Sequence, residues 1–263
     1  MAAQFVKPYL KNQKNDANDA EAIAEAVQRP TMRFVGIKQL DQIDTQALHR
    51  VRDRLVRQQT QIITQTRSLC WEFGIIIPVG VPMFCRDIPR VLEDAENELT
   101  PRMRQLIAGL WEEFRDVQQR LNMATDEVKS IAAHDETARR LMTIPGIGEI
   151  TATAIVSAIG RPHDFRRGRD LAAWIGLVPR QHSTGGQTRL LGISKRGNPY
   201  LRRLLVHGAR AAKLHLNRDK DQLGPWLNKA ESRMPPNKVT VALANKLARI
   251  AWVIGSVKNL SHF

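Results

Sequence analysis

The amino-acid sequence predicts a mainly α-helical protein, and three observations carry that prediction. Apolar residues recur at three- and four-residue steps over residues 40–73, 103–121 and 239–254, the period of a helix with one buried face. Two strong segments open on a capping side chain followed by proline, Thr100-Pro101 and Asn198-Pro199, where the missing proline N–H costs nothing. Strand signals are confined to residues 5–10 and to the surroundings of Ser183.

Taken in order, residues 5–10 predict one short strand. KNQKND then turns the chain into a helix over residues 16–27, stopped before Arg29-Pro30. One strand and one helix make no core alone, so they pack on later modules or belong to a domain entered midway. Leu40, Ile43, Ala47, Val51, Leu55, Ile62 and Leu69 form the next apolar stripe, Gly74 closes it, and IIIPVGVP reads as a broken connector. Beyond Pro101, Met103, Leu106, Leu110, Trp111, Phe114, Val117 and Leu121 line one face. The two long helices predict an antiparallel or intermolecular coiled-coil arm, a spacer or dimerisation element whose Trp71, Trp111 and Phe114 are core.

Asp135 caps a short helix to Met142, and Pro145, Gly146 and Gly148 make a tight turn before another apolar helix. This is the pattern of a helix-hairpin-helix, whose turn offers N–H groups to a DNA phosphate; a plain helix–helix turn is the alternative. Two glycines around one apolar residue favour the phosphate reading, because they permit close approach. Such contacts position a backbone and read no sequence. Farther on, Leu201, Leu204, Leu205, Gly208 and Ala212 face a core while Arg202, Arg203, Arg210 and Lys213 face outward. The last helix, over residues 237–254, buries Val239, Leu243, Leu247, Ile250 and Ile254.

The 263 residues suffice for two or three modules, and 43% hydrophobic and 25% charged residues are ordinary for a folded protein. The net charge of +14 is not. Residues 161–220 hold 14 lysines and arginines against 3 acids, a surplus of 11, which argues for a nucleic-acid partner ahead of an anionic membrane surface. Cys70 and Cys85 are too few for a disulfide framework or a cysteine zinc site. No apolar run of bilayer length and no signal-peptide block is evident, so the expected place is the cytoplasm, associated with the nucleoid, and not a membrane.

Two stretches carry candidate chemistry. The turn Ser183-Thr184-Gly185-Gly186, followed by Arg189, Lys195 and Arg196 and then a helix start, presents hydroxyls among cations. Its glycines allow a phosphate close to the backbone, and free helix N–H groups favour an anion. Ser183 is the candidate nucleophile and Thr184 its rival, with Arg180, Arg189 and Lys195 as phosphate clamps. His182 is adjacent to Ser183, and adjacent residues seldom face each other. A solvated surface turn has the same composition; the charge surplus around it speaks for the functional reading. Asp16 and Asp19, three apart at a helix start, share a face and offer hard oxygen ligands to Mg²⁺, or else serve as cap and dipole partner.

The segments KNDANDAEAIAEAVQRPTMRFV, IPGIGEITATAIVSAIG and GLVPRQHSTGGQTRLLGISKRGNPYLRRLL resemble, in this order, the signature segments of the DEDD transposases. That is the insertion-sequence family numbered one-ten, and the chain is most similar to its eleven-eleven branch. The resemblance implies a RuvC-like domain with four metal-binding acids, a coiled-coil arm, and a C-terminal transposase domain with a nucleophilic serine. On this likeness residues 1–38 are a RuvC-like remnant, 39–134 the arm and 135–263 the transposase domain. Asp16 and Asp19 match the last two acids of a Mg²⁺ site, and Ser183 matches the serine. Nucleic-acid contacts are expected from Gly146, Gly148, Arg180, Gly185, Gly186, Arg189, Lys195, Arg196, Arg202 and Arg203. The expected partners are DNA, an element-encoded bridging RNA and a second copy of the chain joined through the arm. No acid precedes Asp16, so the likeness implies an N-terminally truncated member lacking the first Asp and the Glu of the quartet. Mg²⁺-assisted recombination by Ser183 is the first reading. A catalytically inactive DNA- or RNA-binding remnant is the second, and a structural helix-hairpin-helix protein of DNA repair the third.

Overall fold

Two long helices dominate the first half of the chain. A computed structural model describes residues 1, 3–11, 15–30, 32, 34, 36–159 and 165–256. In it α3 (Leu40–Trp71) and α5 (Pro101–His134) lie against each other. Arg52 Nε donates to Thr125 Oγ1 at 2.9 Å and Gln58 Nε2 to Glu113 Oε1 at 3.1 Å. Residue numbers rise on one helix as they fall on the other, so the pair is antiparallel within one chain. Leu55, Ile62, Ile107, Phe114 and Val117 fill the seam, as the apolar period requires. Thr100 Oγ1 caps α5 by accepting from Met103 N at 3.2 Å.

Several expectations change here. Residues 5–10 are not a strand: α1 (Ala3–Val6) runs into a 3₁₀ turn (Lys7–Tyr9) closed by Leu10 N donating to Lys7 O. A six-residue stretch has too few residues to reveal a period, and Pro8 suits the start of a helical turn. The helix α2 (Asp16–Val27) stands where expected, but Asn15 is its cap, accepting from Asn18 N at 2.8 Å. Part of the preceding turn, residues 12–14, lies outside the described residues. The broken connector leads into an unforeseen helix, α4 (Val81–Glu93). Its Pro82 occupies the first turn, and Phe84 and Ile88 are fully buried against α5. Phe114 lies between Phe84, at 4.9 Å between ring centroids, and Trp111, stacked at 5.4 Å. Trp71 is exposed rather than core.

The second half packs round its own cluster. Here α6 (Glu136–Leu141), α7 (Glu149–Ile159), α8 (Gly168–Ile175), α9 (Pro199–His215), α10 (Gly224–Glu231) and α11 (Pro236–Ser256) enclose Leu141, Ile155, Leu171, Leu201, Leu205, Leu243 and Leu247. Between α8 and α9 stands one hairpin, β1 (Pro179–Thr184) and β2 (Gln187–Ile193). The short helix α7 is almost wholly buried and touches α3, α5, α6 and α9, so it joins the two halves. Although no bilayer-length run was expected, α11 is long and apolar enough by composition to cross a membrane. In this fold its Val239, Leu243, Leu247 and Ala251 are buried, and it packs on α8 and α9.

Candidate functional site

The hairpin owes its shape to its turn. Ser183 pairs with Thr188 and Thr184 with Gln187, leaving Gly185 and Gly186 as a two-residue loop at φ +56° and +77°. Both values are positive, as a type I′ turn demands, and its twist matches the strands it joins. Residues 181–190 are all exposed, so the ribbon stands off the core. Open space surrounds both glycines.

Register separates the two hydroxyls, because side chains alternate along a strand and cross-strand partners share a face. Ser183 lies with Gln181, Thr188 and Leu190; His182, Thr184 and Arg189 occupy the other face. Gln181 Nε2 donates to Ser183 Oγ at 2.8 Å, orienting it without offering a base. Arg189, expected as a clamp on Ser183, therefore stands on the side of Thr184.

The foot of the ribbon is fixed tightly. Ser194 N donates to Val178 O at 2.8 Å and Lys195 N to Gly176 O at 3.1 Å. Lys195 takes a left-handed φ of +54°. A Cβ on Gly197 would lie 1.8 Å from Trp174 O, so only glycine lets this loop meet the end of α8. Arg202 Nη1 donates to Ile175 O at 2.8 Å and Arg196 O at 2.9 Å, holding α8, the loop and α9 together. Asn198 Oδ1 caps α9 by accepting from Tyr200 N and Leu201 N.

The cations thus fall into two groups. Arg180, Arg189, Lys195 and Arg196 are exposed, and their side chains make no ion pair among the described residues. Arg202 binds carbonyls, and Arg203 pairs with Asp53 of α3 while lying 5.3 Å over the Tyr200 ring. Farther along, Arg218 and Lys213 share Glu231. Arg161, the first cation of the basic window, lies outside the described residues.

The turn before α7 gives a mixed result. Gly146 has φ +85°, and a Cβ there would lie 2.3 Å from Gly208 O. The close approach it permits is that of α9, not of a phosphate. Gly148 is exposed with nothing within 4 Å, at the start of α7. Asp16 is exposed and Asp19 half-buried in the first turn of α2. Among the described residues no three His, Cys, Asp or Glu side chains gather to hold a metal. Asp16 and Asp19 are the two hard-oxygen donors that this turn offers, and Mg²⁺ is commonly held by one or two carboxylates together with water and substrate phosphate.

A polar cluster that sequence reasoning missed lies beneath the loop foot. His49 of α3 is buried, with Nδ1 3.1 Å from Tyr200 Oη and Nε2 3.0 Å from Thr153 Oγ1. Burial, and then the charge of Arg52, lower its pKa to about 4. Asp53, one turn on, is 8% exposed and takes both Arg57 and Arg203. Partners 104 to 151 residues away leave no local signal in the sequence.

Comparison with known proteins adds the following. Residues 138–223 match the family model described as Transposase IS116/IS110/IS902 family, and residues 1–72 a DEDD model described as Transposase. The chain is 44% identical to the transposase for insertion sequence element IS1111A of Coxiella burnetii, over 97% of this chain and 70% of that protein. It is 45% identical to the transposase for element IS1328 of Yersinia enterocolitica, over 97% of this chain and 75% of the relative. A probable family 20 transposase of Pseudomonas aeruginosa is 44% identical, over 97% of this chain and 75% of its own length.

Proposed function

Because the chain belongs to the IS110/IS116 family of insertion-sequence transposases, we propose that its exposed hairpin carries the attacking hydroxyl of a DNA recombinase. The observation behind this reading is the placement of Ser183 on an exposed ribbon clear of the core, whose strands and foot also carry Arg180, Arg189, Lys195 and Arg196, cations that make no ion pair among the described residues. Ser183 Oγ attacks the phosphorus of a DNA strand. Its proton passes to water, the P–O bond to the departing sugar oxygen breaks, and that oxygen takes up a proton. A phosphoserine diester results, which a second strand's hydroxyl attacks in turn. The bond energy is conserved, so exchange needs no external energy source. Arg180, Lys195 and Arg196 offset charge developing on the phosphate oxygens, while Arg189, on the face of Thr184, would serve a phosphate approached from that side. Gly185 and Gly186 let the backbone come close.

The family likeness supports the rest of this reading. It comprises a RuvC-like part over residues 1–38, an arm over 39–134 that joins two copies, and a helix-hairpin-helix-bearing transposase domain over 135–263. It also includes a bridging RNA, Mg²⁺ as the ion of the family's site, and a place on the nucleoid in the cytoplasm. Asp16 and Asp19, in the first turn of α2, would supply two of the oxygen ligands of that ion. The second reading is a chain that only binds nucleic acid.

Strand exchange on element-end DNA, with bridging RNA and Mg²⁺, tests the assignment. Ser183→Ala should abolish the covalent protein–DNA species and exchanged product, while Thr184→Val keeps both. Loss with Thr184→Val alone would move the nucleophile to the other face. Wild-type binding without exchange, insensitive to Mg²⁺ and to Ser183→Ala, would establish the binding-only reading.

A further inference from the structure

The hairpin is not the only cationic surface. On α3, Arg50, Arg54 and Arg57 follow one another at four- and three-residue steps and are all exposed, so they form one stripe on one face. On α9, Arg203, His207 and Arg210 show the same steps and exposure. Asp53 joins the stripes: it is nearly buried, and Arg57 reaches it along α3 while Arg203 reaches it from α9. One carboxylate thus faces two guanidinium groups, which leaves a positive charge at the junction. The side chains of Arg57 and Arg203 remain 68% and 43% exposed, with N–H donors left over beyond those used on Asp53. Arg50 and Arg54 make no ion pair among the described residues. Between residues 46 and 61 of α3, Asp53 is the sole acid.

We propose that these two stripes form one tract that binds the phosphate backbone of a nucleic-acid duplex, with Asp53 holding the arms of the tract side by side. Helix-borne arginines at turn spacing suit repeated phosphates, and guanidinium groups bind phosphate through paired donors. A single strand is the poorer occupant, because such sites interleave cations with exposed stacking rings. The aromatic ring at this junction, Tyr200, is half-buried beneath Arg203 and bonded to His49. The tract rests on the reading of the chain as a nucleic-acid enzyme, yet it shares no residue with the attacking hydroxyl. It gives the first half of the arm a part in substrate holding as well as in spacing.

The test is fluorescence-anisotropy binding of the whole chain to a short duplex DNA, a duplex RNA and a single-stranded DNA across a salt series. The triple variant Arg50→Ala, Arg54→Ala, Arg57→Ala should weaken duplex binding and flatten the log–log salt slope by about 0.9 for each DNA phosphate that it no longer neutralises. The Lys triple at the same positions should restore most of the slope, which separates charge from folding. Arg115→Ala with Arg120→Ala, exposed on α5, is the control for general charge and should change the slope little. Comparison of the duplex DNA and RNA arms identifies which backbone the tract prefers. A wild-type slope in the Ala triple, or an effect only on the single strand, overturns the tract while leaving the Ser183 reading intact. Failure of the wild type to bind any of the three probes removes both.

Discussion

At the scale of single residues, the buried ring of His49 ties the stability of the fold to pH. Its ring sits between Tyr200 and Thr153 in the interior, and a proton there would be a charge with little water to solvate it. The folded chain therefore holds this imidazole neutral down to about pH 4, against an ordinary 6.5. As pH falls, the unfolded chain takes up the proton first. The contribution of the neutral ring is whole above pH 6.5 and is lost as pH falls through about 4. Its size is about 3 kcal/mol as an order of magnitude. Urea-unfolding midpoints should decline across that window, and His49→Gln, which keeps polar contacts but cannot ionise, should remove much of the slope. An equally steep decline in the Gln variant would assign the acid sensitivity to other groups.

At the scale of elements, the contact of the 142–148 turn with α9 decides how the turn is read. Gly146 and Gly208 approach until a Cβ on either would lie within 2.3 Å of the other's carbonyl oxygen. Gly146→Ala and Gly208→Ala should each cost more than about 2 kcal/mol, because backbone must move and Gly146 is also left-handed. Gly148→Ala meets open space and should leave thermal unfolding nearly unchanged. If α7 presents its first N–H groups to a phosphate, that substitution lowers DNA affinity without lowering stability. Unfolding and binding measured on the three variants separate a packing glycine from a contact glycine. The same contrast explains what was legible in the sequence. Caps and apolar period are local, so α3, α5, α9 and α11 could be read directly, and the double glycine announced the hairpin turn. The functions of Gly146, Arg202 and Arg203 depend on elements distant in the chain, and no spacing rule reports them. The helix α4 was hidden for another reason: Pro82, read as a break, is at home in its first turn, and Pro89 lies inside the helix, where a proline ordinarily argues against one.

At the scale of the whole molecule, two apolar clusters share one chain and meet at α7. The first, from Leu55 to Ala124, belongs to α3, α4 and α5; the second, from Ala138 to Ala251, belongs to the later helices. Both long helices also reach α7, and the bonds that buried His49 and Asp53 make to Tyr200 and Arg203 fasten α3 to α9. The half that bears the hairpin is thereby braced against α3 and α5. How far such coupling extends depends on whether the clusters unfold together. Phe114 is the central ring of the first cluster, touching Phe84 and Trp111, and its truncation to alanine should cost about 3–5 kcal/mol. Hydrogen exchange on that variant should speed up in α4 and in the facing parts of α3 and α5, while α7, α9 and α11 keep their protection. Uniform acceleration would instead make the arm and the hairpin-bearing half one cooperative unit. The tract on α3 and α9 could then never open without unfolding the core beneath the hairpin.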